Sequence, residues 1–260
     1  MKNNKLSFLQ ILFYGTRSFL FYAGYNISAI IYAPIVLAIG PLLSFEKRSW
    51  LVSRWCWFIM KWLRITCGIS VQTEYLVDLK SIKPCIVLSN HQSSWEALFL
   101  QLLFNPSATV LKKELLNIPF FGWGLRLMEP ITIDRKKPRL AGKAFLEQGT
   151  QAVNKGRWIV LFPEGTRVAP GETAPLNIGG FKLAANTNTP VVPVYHNAGE
   201  CWPPRKFIKF PGVIKCTVGR PLQPEGLPRD IMQNYEKVMG AMSGYGATEA
   251  ETPKESTNSQ

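Results

Sequence analysis

The chain has 260 residues, 47% hydrophobic and only 18% charged, with eight tryptophans, enough for one large domain or for a domain joined to a membrane-attached segment. Thirty Lys and Arg against seventeen Asp and Glu leave a formal charge of +13, which favours a polyanionic neighbour: anionic lipid, an acidic carrier, a phosphorylated substrate or nucleic acid. Five cysteines, odd in number and without Cys-x-x-Cys spacing, argue against a disulfide framework or a zinc site and fit packing roles in a reducing cytoplasm.

Residues 18–45 carry no formal charge and exceed the roughly 20 apolar residues that a spanning helix needs. The run is too long for a signal peptide. Pro34 and Pro41 leave a re-entrant or hairpin insertion open beside a single span. The soluble alternative is a buried core helix, although such helices seldom run this far without a charge. In residues 50–67, Arg54, Lys61 and Arg64 share one helical face, while Trp50, Trp55, Trp57, Phe58, Ile59, Trp62 and Leu63 fill much of the rest. That pattern predicts an interfacial helix on anionic lipid; the alternative is a helix packed on the enzyme core with a solvated basic edge. Basic residues are denser after the apolar run (Lys47, Arg48, Arg54, Lys61, Arg64) than before it (Lys2, Lys5, Arg17). The expected location is therefore the cell inner membrane, with the part that follows residue 67 facing the cytoplasm.

From about residue 70 the pattern is α/β. Short apolar runs at 85–89, 109–111, 130–133, 158–162, 191–195 and 214–218 predict strands, and helical stretches fall at 96–104, 139–154 and 181–186, with a last helix at 228–242. This alternation predicts a mixed or largely parallel sheet covered by helices. The chain divides into a membrane-attached segment, 1–67, a catalytic domain, 68–246, and a polar tail, 247–260, expected to be disordered.

Three strand ends carry charge. After the first run comes Asn-His-Gln-Ser-Ser-Trp-Glu, residues 90–96, with His91 and Glu96 five positions apart. An imidazole suits a general base near neutral pH, and a carboxylate can fix its tautomer. Five helical residues turn about 500°, so His91 belongs in the loop and Glu96 in the first helical turn. Ser93 and Glu96 also fit a capping box, and capping and orienting are compatible. Phe-Pro-Glu-Gly-Thr-Arg, residues 162–167, offers a stop at Pro163, a permissive Gly165, a Thr166 hydroxyl and an Arg167 fork suited to phosphate oxygens. Alone, it reads rather as a turn closed by a Glu164–Arg167 ion pair. Ile-Asp-Arg at 133–135, followed by Lys136 and Lys137, ends another strand. Ligands of α/β sheets bind at such ends, so three charged loops together point to one site. His196, the second histidine, follows an apolar strand and reads as structural.

These segments resemble the ordered motifs of the glycerolipid acyltransferases, specifically the 1-acyl-glycerol-3-phosphate acyltransferases. Asn-His-(four residues)-acid, Gly…Ile-Asp-Arg, Phe-Pro-Glu-Gly-Thr-Arg and an apolar-Pro-apolar strand follow in order at 90–96, 122–135, 162–167 and 191–195. The likeness spans roughly residues 70–220. Two departures stand out. The usual acid is Asp, here Glu96; and a Phe-Lys-x-Gly stretch common after the third motif is replaced by Leu176-Asn177-Ile178-Gly179, which lacks the lysine.

The resemblance implies a glycerolipid acyltransferase-like fold with an N-terminal membrane-attached helical segment. It implies transfer of a fatty acyl chain from a thioester, acyl-CoA or acyl carrier protein, to the sn-2 hydroxyl of lysophosphatidic acid. His91 would be the base, Glu96 its orienter, and Arg135, Glu164, Gly165, Thr166 and Arg167 the substrate grip. It calls for no metal, no cofactor beyond the thioester co-substrate and no nucleic-acid partner; the partners are lysophosphatidic acid, the donor and membrane lipids. One rival is a same-fold enzyme acting on glycerol 3-phosphate or another lysophospholipid. A more remote one is a non-catalytic basic protein that binds membranes or nucleic acid. Gly-x-Ser-x-Gly and P-loop patterns are absent from the sequence, which argues against serine hydrolases and nucleotide phosphotransferases.

Overall fold

The computed structural model describes residues 7–134 and 138–244. The N-terminal apolar sequence folds as a helical hairpin. Helix α1 (Phe8–Ile39) starts at a capping box in which Ser7 and Gln10 satisfy each other's backbone amides. A single 3₁₀ turn, Gly40–Leu42, contains Pro41 and reverses the chain. Helix α2 (Phe45–Cys67) begins at Ser44, whose hydroxyl accepts from the Lys47 amide, and ends on Gly68 in the left-handed region at φ 69. Of the single span and the hairpin left open for residues 18–45, the hairpin is the form observed, with its break at Pro41, and the first helix starts ten residues before the charge-free stretch. Arg17 does not stop the helix because its guanidinium donates to the Thr66 carbonyl at 2.5 Å. The helix expected at 50–67 likewise begins earlier, at Phe45.

Hydrogen bonds fasten the two helices. Tyr32 Oη donates to the Leu51 carbonyl at 2.7 Å, and Trp55 Nε1 to Ser28 Oγ at 3.2 Å. Gly24 lets the Trp62 indole lie directly on the α1 backbone, where Nε1 donates to the Leu20 and Phe21 carbonyls; a Cβ at Gly24 would collide with that ring.

The rest is a seven-stranded sheet. In chain order its elements are β1 (Ile69–Tyr75), β2 (Ile86–Ser89), α3 (Trp95–Leu103), β3 (Ser107–Lys112), α4 (Phe121–Arg126), β4 (Ile131–Ile133), α5 (Pro138–Asn154), β5 (Trp158–Leu161), α6 (Gly179–Thr187), β6 (Val191–His196), α7 (Ala198–Cys201), β7 (Gly212–Val218) and α8 (Pro228–Ser243). The spatial order is β1-β7-β6-β2-β5-β3-β4, parallel at every pairing except β6–β7. The mixed sheet agrees with the expected fold class. The residues expected as a disordered tail, 247–260, lie outside the described residues.

The central strands are short apolar runs because both faces are covered. Val87, Val160 and Val192 point into a cluster with Phe21 of α1, Ile59 and Leu63 of α2, and Trp95 and Phe99 of α3. Their neighbours Ile86, Leu88, Ile159 and Leu161 point to the opposite face, onto Phe145 of α5, Phe181 and Leu183 of α6 and Tyr235 of α8. The hairpin is thus part of the core of the α/β domain. Its other surface is apolar and bare: Phe8, Leu12, Phe19, Ile27, Ile31 and Ile35 of α1 are exposed. All five cysteines are buried and unpaired, and burial pushes the Cys216 thiol up to about 12 and Cys85 up to about 11.

Candidate active site

The parallel strands β2 to β6 all end at one edge of the sheet, and β2 lies between β5 and β6. This places the His91 loop beside the loop carrying Phe-Pro-Glu-Gly-Thr-Arg on one flank and beside His196 on the other.

His91 Nδ1 and Glu96 Oε1 are 2.6 Å apart. The same carboxylate oxygen accepts from the Ser93 amide at 2.8 Å, and Ser93 Oγ accepts from the Trp95 amide at 3.2 Å. Capping and imidazole orientation therefore coexist on one oxygen. The cap is shifted by one residue from the simplest reading, since the helix begins at Trp95 with Ser94 as its N-cap. Glu96 is wholly buried, whereas the His91 side chain keeps 18% of its surface. A carboxylate on Nδ1 holds the proton there and leaves the Nε2 lone pair to act as a base. The imidazole also stacks on Phe162, with ring centroids 4.3 Å apart and planes 12° from parallel.

The second motif fixes His91 from its backbone side. Glu164 Oε1 accepts from the His91 amide at 3.2 Å, and the Val168 amide donates to the His91 carbonyl at 2.8 Å. Glu164 is largely buried with Oε2 unpartnered, and desolvation raises its pKa. Gly165 takes φ 66, a conformation that suits glycine, as its amide closes a turn on the Phe162 carbonyl at 3.0 Å. Thr166 and Arg167 are exposed beyond that turn. The turn is not closed by a Glu164–Arg167 ion pair, since Glu164 holds the His91 amide instead. The third motif is farther away: β4 is separated from β5 by β3, and Arg135 itself lies outside the described residues.

Sequence reasoning undervalued the other flank. Asn90 and His196 bind each other reciprocally: Asn90 Nδ2 donates to the His196 carbonyl at 2.8 Å, and the His196 amide donates to Asn90 Oδ1 at 3.0 Å. The Ala198 amide donates to His196 Nδ1 at 3.2 Å, which places the ring proton on Nε2, 2.9 Å from the Asn90 carbonyl. Complete burial lowers the His196 pKa, so the ring is neutral, with Nε2 3.9 Å from the second oxygen of Glu96. The available signal was a histidine ending the strand that pairs with β2. Among the described residues, no group of three or more His, Cys, Asp or Glu is placed to hold a metal ion.

The structure thus sets a histidine–carboxylate pair at the ends of parallel strands and braces it with a Glu-Gly-Thr-Arg turn, and the chain belongs to the acyltransferase family, whose model matches residues 70–197. Similarity extends beyond that span. The chain is 42% identical over 219 residues to the 1-acyl-sn-glycerol-3-phosphate acyltransferase of Pseudomonas aeruginosa, covering 84% of this chain and 85% of that one. It is 32% identical over 200 residues to the enzyme of the same name from Saccharomyces cerevisiae, covering 75% of this chain and 64% of that one. The crystal structure of the 1-acyl-sn-glycerophosphate (LPA) acyltransferase PlsC from Thermotoga maritima superposes with a TM-score of 0.74 at 21% identity, over 91% of this chain and 97% of that one. At that identity the likeness speaks for the fold.

Proposed function

We propose that His91 is the general base of a 1-acyl-glycerol-3-phosphate acyltransferase, which moves a fatty acyl chain from a thioester to the sn-2 hydroxyl of lysophosphatidic acid and makes phosphatidic acid for phospholipid synthesis. The activity is that of the similar bacterial and yeast enzymes. The observation that carries the mechanism is the 2.6 Å contact between His91 Nδ1 and a buried Glu96.

Nε2 of His91 takes the acceptor's hydroxyl proton as the oxygen attacks the thioester carbonyl. The tetrahedral intermediate then expels the thiolate, which recovers the proton from the imidazolium. Glu96 stabilises the imidazolium in between, the logic of a catalytic triad without its serine. Base catalysis of this kind typically contributes about 10²–10⁴-fold, and positioning supplies much of the remainder. Arg167 and Thr166, exposed next to the dyad, together with Gly165 and Arg135, are the proposed grip on the glycerol phosphate. Glu164 acts chiefly through the His91 amide. The donor is acyl-CoA or acyl-acyl carrier protein, with no metal or further cofactor.

The protein is membrane-associated: α1 with its turn, Phe8–Leu42, is long and apolar enough to cross a bilayer by length and composition. The middle of α1 packs on Trp202, Phe207 and Lys209 of the catalytic domain, an arrangement that favours a hairpin lying in one leaflet over a span. We place that leaflet on the cytoplasmic side of the cell inner membrane, where Arg54, Lys61 and Arg64 of α2 meet anionic headgroups rather than nucleic acid.

The deciding experiment offers purified protein a panel of lysolipid acceptors and glycerol 3-phosphate with both donors, with products identified by mass spectrometry. Acylation of lysophosphatidic acid that persists undiminished in His91→Ala refutes the mechanism.

A further inference from the structure

A second pair of cations reaches the site from a loop outside every motif. A cleft of about 280 Å³ is lined by Ser94, Arg167, Arg205 and Lys206 together with the rings of Tyr22, Trp202 and Phe207. Ser94 belongs to the loop that carries His91, and Arg167 to the turn that holds the His91 amide, so the cleft adjoins the dyad. Arg205 and Lys206 are exposed. Among the described residues, neither they nor Arg167 has a carboxylate within ion-pair distance. Three uncompensated cations around one small cleft repel each other, and a bound dianion relieves that repulsion.

The loop is built to hold this arrangement. Arg205 sits at φ 60, a left-handed conformation that strains a side chain other than glycine and that its surroundings must therefore impose. Beneath it, the buried Lys209 places its ammonium 3.4 Å from the centre of the Tyr22 ring and 4.7 Å from those of Phe21 and Trp202. The Lys209 amide donates to Ser18 Oγ of α1 at 2.9 Å, and Tyr22 stacks on Phe207 with centroids 5.3 Å apart. The cleft wall is thereby fastened to the membrane hairpin on one side and reaches the dyad loop on the other.

We propose that this cleft is a phosphate-monoester site in which Arg205 and Lys206 join Arg167 in binding a substrate of the acyl transfer. The inference rests on the reading above. Two substrates of that reaction carry a phosphate monoester: lysophosphatidic acid, and coenzyme A through its 3′-phosphate. The pantetheine arm of an acyl carrier protein carries only a diester. Both cations lie beyond the span matched by the family, residues 70–197, so they would tune substrate binding from outside the shared catalytic frame.

The test is the double variant Arg205→Ala/Lys206→Ala on neutral phosphatidylcholine vesicles and, in parallel, on vesicles with added anionic lipid, with lysophosphatidic acid, acyl-CoA and acyl-acyl carrier protein varied in turn. Loss of charge-assisted hydrogen bonds should raise one KM about tenfold or more, with a much smaller fall in kcat. A rise for lysophosphatidic acid with either donor assigns the cleft to the acceptor; a rise for acyl-CoA alone assigns it to the donor. Unchanged KM values for both overturn the proposal. So does a rise seen only with acyl carrier protein, which marks a protein-docking surface, or only on anionic vesicles, which marks surface recruitment. A second measurement is independent of turnover: amine-reactive labelling of Lys206, read by mass spectrometry, should be slowed by sn-glycerol 3-phosphate or by adenosine 3′,5′-bisphosphate. Protection by neither refutes the site even if the acyl-transfer reading stands, and protection in a protein that fails to acylate lysophosphatidic acid refutes that reading alone.

Discussion

The Asn90 side chain satisfies both backbone groups of His196, 106 residues away in the chain: Nδ2 donates to its carbonyl at 2.8 Å and Oδ1 accepts from its amide at 3.0 Å. The pair ties the first residue after β2 to the last residue of β6, immediately beside the His91–Glu96 dyad. Asn90→Ala removes both bonds from a buried setting and leaves the His196 amide and carbonyl without that partner. The expected cost is roughly 1–3 kcal/mol of stability, read by urea unfolding, with a loss of kcat because the His91 loop is no longer held. Wild-type stability and turnover in this variant would show the clamp to be inert.

Glu96→Gln keeps an oxygen to receive both the His91 and Ser93 N–H groups but removes the charge that stabilises the imidazolium. Turnover should fall about 10–10²-fold, less than the ~10²–10⁴-fold expected for His91→Ala. The thermal midpoint should barely move. A collapse of stability would show Glu96 to be chiefly a helix cap.

Lys209 supplies a pH signature. Burial pushes its pKa down to about 7, against 10.5 for the free side chain. Between these values the unfolded chain binds more protons than the folded one, so stability conferred by this position rises with pH from about 7 to about 10.5. The slope is at most about 1.4 kcal/mol per pH unit, and the aromatic faces around the ammonium reduce it. Subtracting the urea stability of Lys209→Met from that of the wild type at pH 7 and pH 9 should give a difference that grows in favour of the wild type. A difference independent of pH would mean that the folded ammonium keeps an ordinary pKa.

On the outer face of α2, Arg54 and Lys61 flank Trp57 at 5.1 and 5.5 Å from its ring centroid, and Trp50 and Trp57 are 60% and 46% exposed. Arg54→Glu/Lys61→Glu should weaken binding to anionic vesicles by about 1 kcal/mol or more per residue while leaving binding to neutral vesicles little changed. Trp57→Ala should weaken both, because it removes apolar contact rather than charge. Co-sedimentation with vesicles of each composition separates the two effects.

The strands were legible because each central one is buried on both faces and so appears as an uninterrupted apolar run. The edge strand β1 was missed: Ile69–Tyr75 mixes Ser, Gln, Thr and Glu with its apolar residues, as one exposed edge permits. The start of α1 was missed because a lone arginine looks like a boundary when its acceptor, Thr66, cannot be seen. α2 was read as a choice between membrane surface and core helix. It has both faces, with Cys56, Ile59 and Leu63 buried and Trp50 and Trp57 exposed. At the site, the nearness of His91 and Glu96 could be read from local spacing. The Asn90–His196 clamp and the Arg205–Lys206 wall could not, because each depends on sheet order bringing distant segments together.

That order also governs when the site can exist during synthesis. A nascent chain that has emerged as far as residue 190 already contains the motifs at 90–96, 122–135 and 162–167. It lacks β6, so one edge of β2 is unpaired and Asn90 has no clamp. Such an intermediate exposes the edge of a short strand that is apolar from Ile86 to Leu88, a hazard for aggregation that the adjacent membrane or a chaperone must cover. Catalytic competence therefore arrives late and all at once, and a fragment that keeps those three motifs but loses residues 191–260 should be inert.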